Sequence, residues 1–229
     1  MNTRNQLLCA HSTLIFAVLV AVGMFLMTGW LPPPSPALSA EQTAAIFADN
    51  MQMRIGLAIT AFVSPLFLGL AVAVSAQLRR IEGPNHVMST LQLVTAAVAV
   101  PALQFPALYW LALLYRADLS PQIFVVINDI SWFLVIGAVG PTTLQPLAIG
   151  LAILGDKSGK IYPRWLGFAN LWFAVIVIPG AVIPFFKTGP FAWSGLISFW
   201  TVFLGFFGWV MLDYIWTVKA IHRQSESAD

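Results

Sequence analysis

Six long apolar segments are the feature that most constrains this chain. They cover about residues 12–30, 55–77, 89–114, 123–152, 165–186 and 192–218. A bilayer core of about 30 Å needs roughly 20 apolar residues per spanning helix. Only 9% of the residues are charged, whereas ordinary soluble domains carry about 25%. The sequence therefore predicts a single all-α domain over residues 1–229, a membrane helix bundle with about six transmembrane helices.

The distribution of Lys and Arg predicts the orientation of the bundle, because cytoplasmic loops near helix ends are enriched in both. One side of the membrane carries Arg4, Arg79, Arg80, Lys157, Lys160, Arg164, Lys219 and Arg223. The other side carries Arg54, Arg116 and Lys187. We therefore expect both termini in the cytoplasm. The net charge of +2 reflects this asymmetry, and no basic stretch interleaved with aromatics indicates nucleic-acid binding.

The segment after the first apolar run contains two structural signals. "WLPPPSP" cannot be helical, because four prolines remove backbone donors. "SAEQ" from Ser39 to Gln42 is a capping-box pattern, which predicts a short outer interfacial helix or an extension of the second span. Arg4, the apolar run and "PALSA" also fit a signal peptide, but we favour a retained first helix.

Tryptophans on the predicted outer side predict an aromatic belt at the membrane interface. These residues are Trp30, Trp110, Trp132 and Trp193.

Three strings together carry a family resemblance: "RRIEGP" at 79–84, "YPRWLGF" at 162–168 and "FFKTGPFAWSGL" at 185–196. With "LPPPSP" and "NDISW", they resemble a functionally uncharacterised family of six-helix bacterial membrane proteins, typical of actinobacteria and some proteobacteria. The likeness spans nearly the whole chain. It implies the six-helix topology and a location in the bacterial inner (plasma) membrane. It brings no activity, so it identifies no catalytic residue.

Several kinds of site are excluded by composition and position. The single Cys9 rules out an internal disulfide or a four-thiolate metal site. His11, His86 and His222 all fall at the predicted cytoplasmic side, which argues against bis-histidine haem and against a metal site. No lysine lies in mid-membrane to form a retinal Schiff base. We predict no cofactor and no catalytic constellation.

Asp129 in "INDISW" is the most informative ionisable residue, since charges inside spanning helices are costly and are usually paired or face water. The predicted partners are Arg54 or Arg116. One interpretation makes Asp129 a proton carrier or a ligand for a cationic or hydroxylated solute, and the other an ion pair that anchors helix packing.

Asp213 in "MLDYIW" lies near the cytoplasmic end of the sixth segment. We predict a structural charge pair with Arg164 or Lys219, to which Asn170 adds a hydrogen bond.

Pairs of prolines five residues apart occur in "PALQFP", "PTTLQP" and "PGAVIP", within the third, fourth and fifth segments. Each proline removes a backbone donor and frees a carbonyl four residues earlier, and such carbonyls need partners in the membrane. Four polar residues are candidates for this role and for ligand binding: Gln104, Thr142, Thr143 and Gln145. One interpretation is a kinked, weakly polar cavity between the third and fourth helices. The other is that the prolines only shape the bundle.

Three functions remain open on the sequence. The preferred hypothesis is a non-enzymatic bundle that binds or moves a small apolar or uncharged solute. The second is a membrane enzyme that uses Asp129 or Asp213 as a proton donor to a lipid-soluble substrate. The third is an accessory subunit of a larger membrane complex. Membrane lipid is the expected surrounding, and a homo-oligomer is a further possibility.

Overall fold

The computed structural model describes residues 3–48, 50–116 and 118–226, and within these residues it contains helices and no strand. Six helical stretches are long and apolar enough to cross a membrane: Thr3–Leu26, Met51–Asn85, Val87–Tyr115, Pro121–Gly155, Arg164–Phe185 and Leu196–Glu226. We call these the first to sixth spans, and use "inner" and "outer" for the predicted orientation. The all-α, six-helix prediction is confirmed, and the chain is a multi-pass membrane protein.

The six spans form a ring in chain order. Each span packs against the next one along the chain, and the sixth packs against the first. The third and fourth spans contact one another along both their inner and outer halves, as antiparallel neighbours joined by a short loop do. The centre of the bundle is consequently surrounded by all six spans.

Every span departs from regular α-helix at one point or more. The first span is the α-helix Thr3–Val20 followed by a π-helical end, Ala21–Leu26. The second span consists of the helices Met51–Val63 and Phe67–Glu82, with a 3₁₀ turn Ser64–Leu66 between them and another, Gly83–Asn85, at the inner end. The third span consists of the helices Val87–Ala99 and Pro101–Tyr115. The fourth span consists of the helices Pro121–Gly137 and Val139–Gly155. The fifth span is the helix Arg164–Ile176 followed by a 3₁₀ segment, Ile178–Phe185. The sixth span begins with a π-helical segment, Leu196–Thr201, and continues as the α-helix Val202–Glu226.

The two prolines of a pair have different effects. Pro101 starts the second helix of the third span, and Pro141 lies three residues after the break in the fourth. Pro106 and Pro146 instead lie inside helices that continue past them. The second span breaks at Pro65, which the pair pattern does not include. The fourth span is therefore two helices that meet at Ala138.

The predicted outer helix is present as Ala40–Ile46. Its capping box is complete: the Gln42 amide donates to the Ser39 hydroxyl at 3.2 Å, and the Ser39 amide donates to the Gln42 side chain at 2.9 Å. Asn50 caps the next helix separately, through a 3.0 Å bond from the Met53 amide. The outer helix is thus an independent element, which packs on the outer half of the fourth span.

The four outer tryptophans do not form an interfacial belt. Trp30, Trp110, Trp132 and Trp193 are only 0–3% exposed, and their rings pack together, with centroids of Trp30 and Trp110 4.6 Å apart and those of Trp110 and Trp132 5.0 Å apart. The Trp110 indole N–H donates to Asn128 at 3.0 Å. The belt prediction was wrong for these residues, because ring packing and this buried bond hold them inside the bundle.

Candidate functional site

A central cavity of about 140 Å³ lies inside the ring. All six spans contribute to its wall, and phenylalanines dominate it: Phe16, Phe25, Phe67, Phe173, Phe199 and Phe203. For comparison, an engineered apolar cavity of about 150 Å³ stays dry and binds benzene or xenon. The space is therefore of a size and character suited to a small apolar molecule.

The helix breaks converge on this cavity. One residue at or beside the irregular point of each span lines it: Phe25, Ser64, Val100, Ala138, Val177 and Phe199. Breaks and π-turns disturb the regular spacing of side chains, and they often mark functional sites. Irregular backbone at membrane depth is tolerated where it is buried in protein or lines a cavity. The breaks and the cavity thus have one structural origin.

Two hydroxyl groups supply the polarity of the wall. Thr142 donates to the Ala138 carbonyl at 2.8 Å, and Ser64 donates to the Thr60 carbonyl at 2.6 Å. Since each hydroxyl proton is used within its own helix, the oxygen lone pairs remain as acceptors. None of the described residues that line the cavity is charged. The cavity offers an apolar surface with two weak acceptors.

Of the five predicted ligand-binding residues, only Thr142 is among the described residues of the cavity wall. Gln145 is buried in the inner half of the fourth span. The Thr143 hydroxyl is buried and has no hydrogen-bond partner within residues 3–48, 50–116 and 118–226. The polar residues of "PTTLQP" therefore lie at different places, because successive positions on a helix face different directions.

Gln104 has a structural partner on a neighbouring helix. Its side-chain amide donates to the Ala61 carbonyl at 3.2 Å. Pro65, four residues after Ala61, has no N–H to offer to that carbonyl. Gln104 thus compensates for the proline break of the second span, rather than for a proline in its own helix.

We predict that Gln104→Leu lowers the free energy of unfolding by about 1–3 kcal/mol, since it strands a buried carbonyl. Pro65→Ala restores a backbone N–H that can bond the Ala61 carbonyl, so Gln104→Leu should cost less stability in that background. The loss of stability in the double variant should therefore be smaller than the sum of the two single losses by about 0.5 kcal/mol or more. Equilibrium unfolding of the two single variants and the double variant in detergent measures this coupling. Strict additivity would contradict the assignment.

Asp129 is half-buried in the outer half of the fourth span, and Lys187 is the positive charge within its electrostatic reach. Of the two predicted partners, Arg54 donates to the Leu114 carbonyl at 2.7 Å, and Arg116 is exposed. Asp129 is not among the described residues that line the cavity. The structure therefore places Asp129 near Lys187, which lies between the fifth and sixth spans, and away from the central cavity.

Asp213 is buried, at 2% exposure, between the fifth and sixth spans. Asn170 bridges two groups there: its amide donates to Asp213 at 2.9 Å, and its carbonyl accepts the Trp209 indole N–H at 2.8 Å. Arg164 donates instead to a main-chain carbonyl of the fourth span, and Lys219 lies over an indole ring. The hydrogen bond from Asn170 is present, and both cations have other contacts.

A buried phenol lies close to this cluster. The Tyr162 and Thr217 hydroxyl oxygens are 2.9 Å apart. Burial raises the pKa of Tyr162, so its hydroxyl stays neutral at physiological pH. Within the part of the chain that the structure describes, no three His, Cys, Asp or Glu side chains gather as a metal site requires.

The aromatic wall of the sixth span was missed by the sequence reasoning, although a signal for it exists. Phe199, Phe203 and Phe206 are spaced i, i+4 and i+7, which places them on one helical face. All three line the cavity. In an apolar segment this stripe is hard to distinguish from the lipid-facing residues around it.

Comparison with protein-family models, with curated proteins and with solved structures found no match to this chain. The resemblance to a six-helix bacterial family stays a prediction.

Proposed function

We propose that this protein binds a small apolar or weakly polar uncharged solute in the central cavity, as a binding protein or transporter of the membrane. The observation that carries the proposal is the convergence of helix breaks from all six spans on one phenylalanine-lined space. Bundles that only need to be stable have little reason to concentrate six irregular points around a void, since cavities cost stability.

The position of the carboxyl groups favours binding over catalysis. The enzyme hypothesis requires Asp129 or Asp213 to reach a substrate in a deep cavity. The described residues of the central wall include neither of them. We further propose that both termini lie in the cytoplasm, because Lys and Arg lie eight to three on the side of the termini. The resemblance to a six-helix bacterial family is the reason to propose the bacterial inner membrane as the location.

Filling the cavity tests this function. Ala102 lines the cavity, and we expect Ala102→Phe to occupy much of its volume. Toluene, naphthalene and benzyl alcohol are the test solutes. Their effect on thermal unfolding is measured with the purified protein in nanodiscs, and their uptake is measured with the protein in vesicles. A solute at about 100 times its Kd stabilises the wild type by about 2.7 kcal/mol. We expect Ala102→Phe to lose that stabilisation.

Ala112→Phe is the matched control, since Ala112 belongs to the same helix and its side chain is exposed. This variant should retain the solute response. Two results would overturn the proposal: no solute stabilises the wild type or crosses the membrane with it, or Ala102→Phe responds to the solute as strongly as the wild type does.

A further inference from the structure

A second space, distinct from the central cavity, lies on the outside of the ring between the fifth and sixth spans. It is a groove of about 350 Å³. Trp172, on its rim, is 67% exposed, and its floor includes the glycines Gly205 and Gly208. Exposed apolar surface within a spanning segment faces lipid. The groove is thus accessible to molecules dissolved in the bilayer.

One end of the groove lies against the buried residue Asp213. Asp213 and Asn170 both belong to its lining. One carboxyl oxygen of Asp213 accepts the bond from Asn170, and the Trp209 indole N–H also lies near the carboxyl. The other oxygen, Oδ2, is buried and makes no hydrogen bond of good geometry to the described residues. Buried polar atoms are normally paired, and an unpaired one calls for an explanation such as an unseen ligand.

We infer that this groove binds a lipid-soluble molecule with a terminal hydroxyl group, and that the hydroxyl bonds Oδ2 of Asp213. The apolar part of the molecule lies along the sixth span from Leu212 towards Gly205. At 1.5 Å per residue, the stretch from Asp213 to Gly205 is about 12 Å long, which suits a medium-length hydrocarbon chain. Gly208 leaves room for that chain, since a Cβ added there meets no described heavy atom within 4 Å.

A hydroxyl is the group that fits this carboxyl in either protonation state. An ionised carboxylate only accepts hydrogen bonds, whereas a protonated one also donates, and a hydroxyl can both donate and accept. A hydrocarbon without a hydroxyl would leave Oδ2 unpaired. In the part of the chain that the structure describes, Arg164 contacts a main-chain carbonyl and Lys219 an indole ring in place of Asp213.

The binding proposed for the groove does not depend on the function proposed for the central cavity. Phe173 lines both spaces, and its ring stacks on Trp209 with centroids 4.7 Å apart and planes 5° from parallel. Phe173 therefore lies between the groove and the central cavity. Ligand binding in the groove and in the cavity can therefore be tested with separate variants.

Photolabelling in nanodiscs tests the inference. The probe is a medium-chain alcohol that carries an alkyl diazirine, and its matched control is the same alkyl diazirine without the hydroxyl. Mass spectrometry maps the labelled residues. We expect the alcohol to label Trp172, Ile176 and Leu212 roughly tenfold more efficiently than the hydrocarbon, a ratio equal to about 1.4 kcal/mol. Asp213→Leu should bring the ratio close to one.

Gly208→Leu provides a second variant that leaves the carboxyl in place. A Cβ at Gly208 meets no described heavy atom within 4 Å, so the protein should fold while the leucine fills the groove and labelling by both probes falls. Gly140→Leu is the matched control, because Gly140 is also exposed and also has no described heavy atom within 4 Å of an added Cβ. It should label as the wild type does.

Three results would overturn the inference. The two probes label the groove equally in the wild type, the alcohol preference survives Asp213→Leu, or the groove residues form cross-links to a second copy of the chain and take up neither probe. If Asp213→Leu fails to fold, the wild-type ratio and the Gly208→Leu result decide the question.

Discussion

Asn170→Leu should lower the free energy of unfolding by roughly 2 to 5 kcal/mol. Asn170 is fully buried and holds Asp213 through its amide and Trp209 through its carbonyl. The leucine removes both bonds and leaves two buried polar groups without this partner, at about 1–3 kcal/mol each. Single interhelical hydrogen bonds in membrane proteins average only about 0.6 kcal/mol. A loss this large therefore requires that both the Asp213 carboxyl and the Trp209 indole N–H are left without a hydrogen-bond partner.

The measurement is equilibrium unfolding in mixed detergent micelles, with far-UV circular dichroism as the signal. Asp213→Asn is the control, because the asparagine retains an oxygen that can accept from Asn170, and it should unfold within about 1 kcal/mol of the wild type. The double variant Asn170→Leu/Asp213→Leu should be less destabilised than the sum of its two single variants, since it removes both members of one bond. A loss below about 1 kcal/mol for Asn170→Leu alone would contradict the bridge.

The fold was largely predictable because its determinants are local. Segment length and hydropathy identify the spans, and the four-residue pattern from Ser39 to Gln42 identifies a helix start, which the structure confirms. Each of these inferences depends on neighbouring residues in the chain, and none requires knowledge of which helix packs against which.

The site was harder to predict because it depends on how helices face one another. Gln104 was assigned to prolines of its own helix, but it bonds Ala61 on the second span, where Pro65 has removed a donor. The four outer tryptophans fit an interfacial pattern by depth, but ring packing turns them inward. Only Thr142 of the predicted ligand residues lines the cavity. Side-chain direction across helices was the missing information.

The first and second spans approach closely at the level of the first span's π-helical end. Gly23 belongs to that segment, and a Cβ added to Gly56 on the second span would meet the Gly23 carbonyl oxygen and come within 2.7 Å of the Met27 Cβ. Met24, the residue after Gly23, lines the central cavity. The two glycines therefore set the distance between the spans at the edge of the cavity.

Gly56→Leu should accordingly be the most disruptive single substitution considered, with a loss of about 3 kcal/mol or more. Overpacking alone costs about 1–3 kcal/mol, and here the clash is with backbone, which cannot rotate away. Because the first span would move at the cavity edge, solute stabilisation should fall along with stability. Thermal unfolding with and without solute measures both effects. Gly140→Leu, where an added Cβ meets no described heavy atom within 4 Å, should unfold close to the wild type. If Gly56→Leu and Gly140→Leu unfolded at the same temperature, the first and second spans would not lie as close together as Gly23 and Gly56 allow.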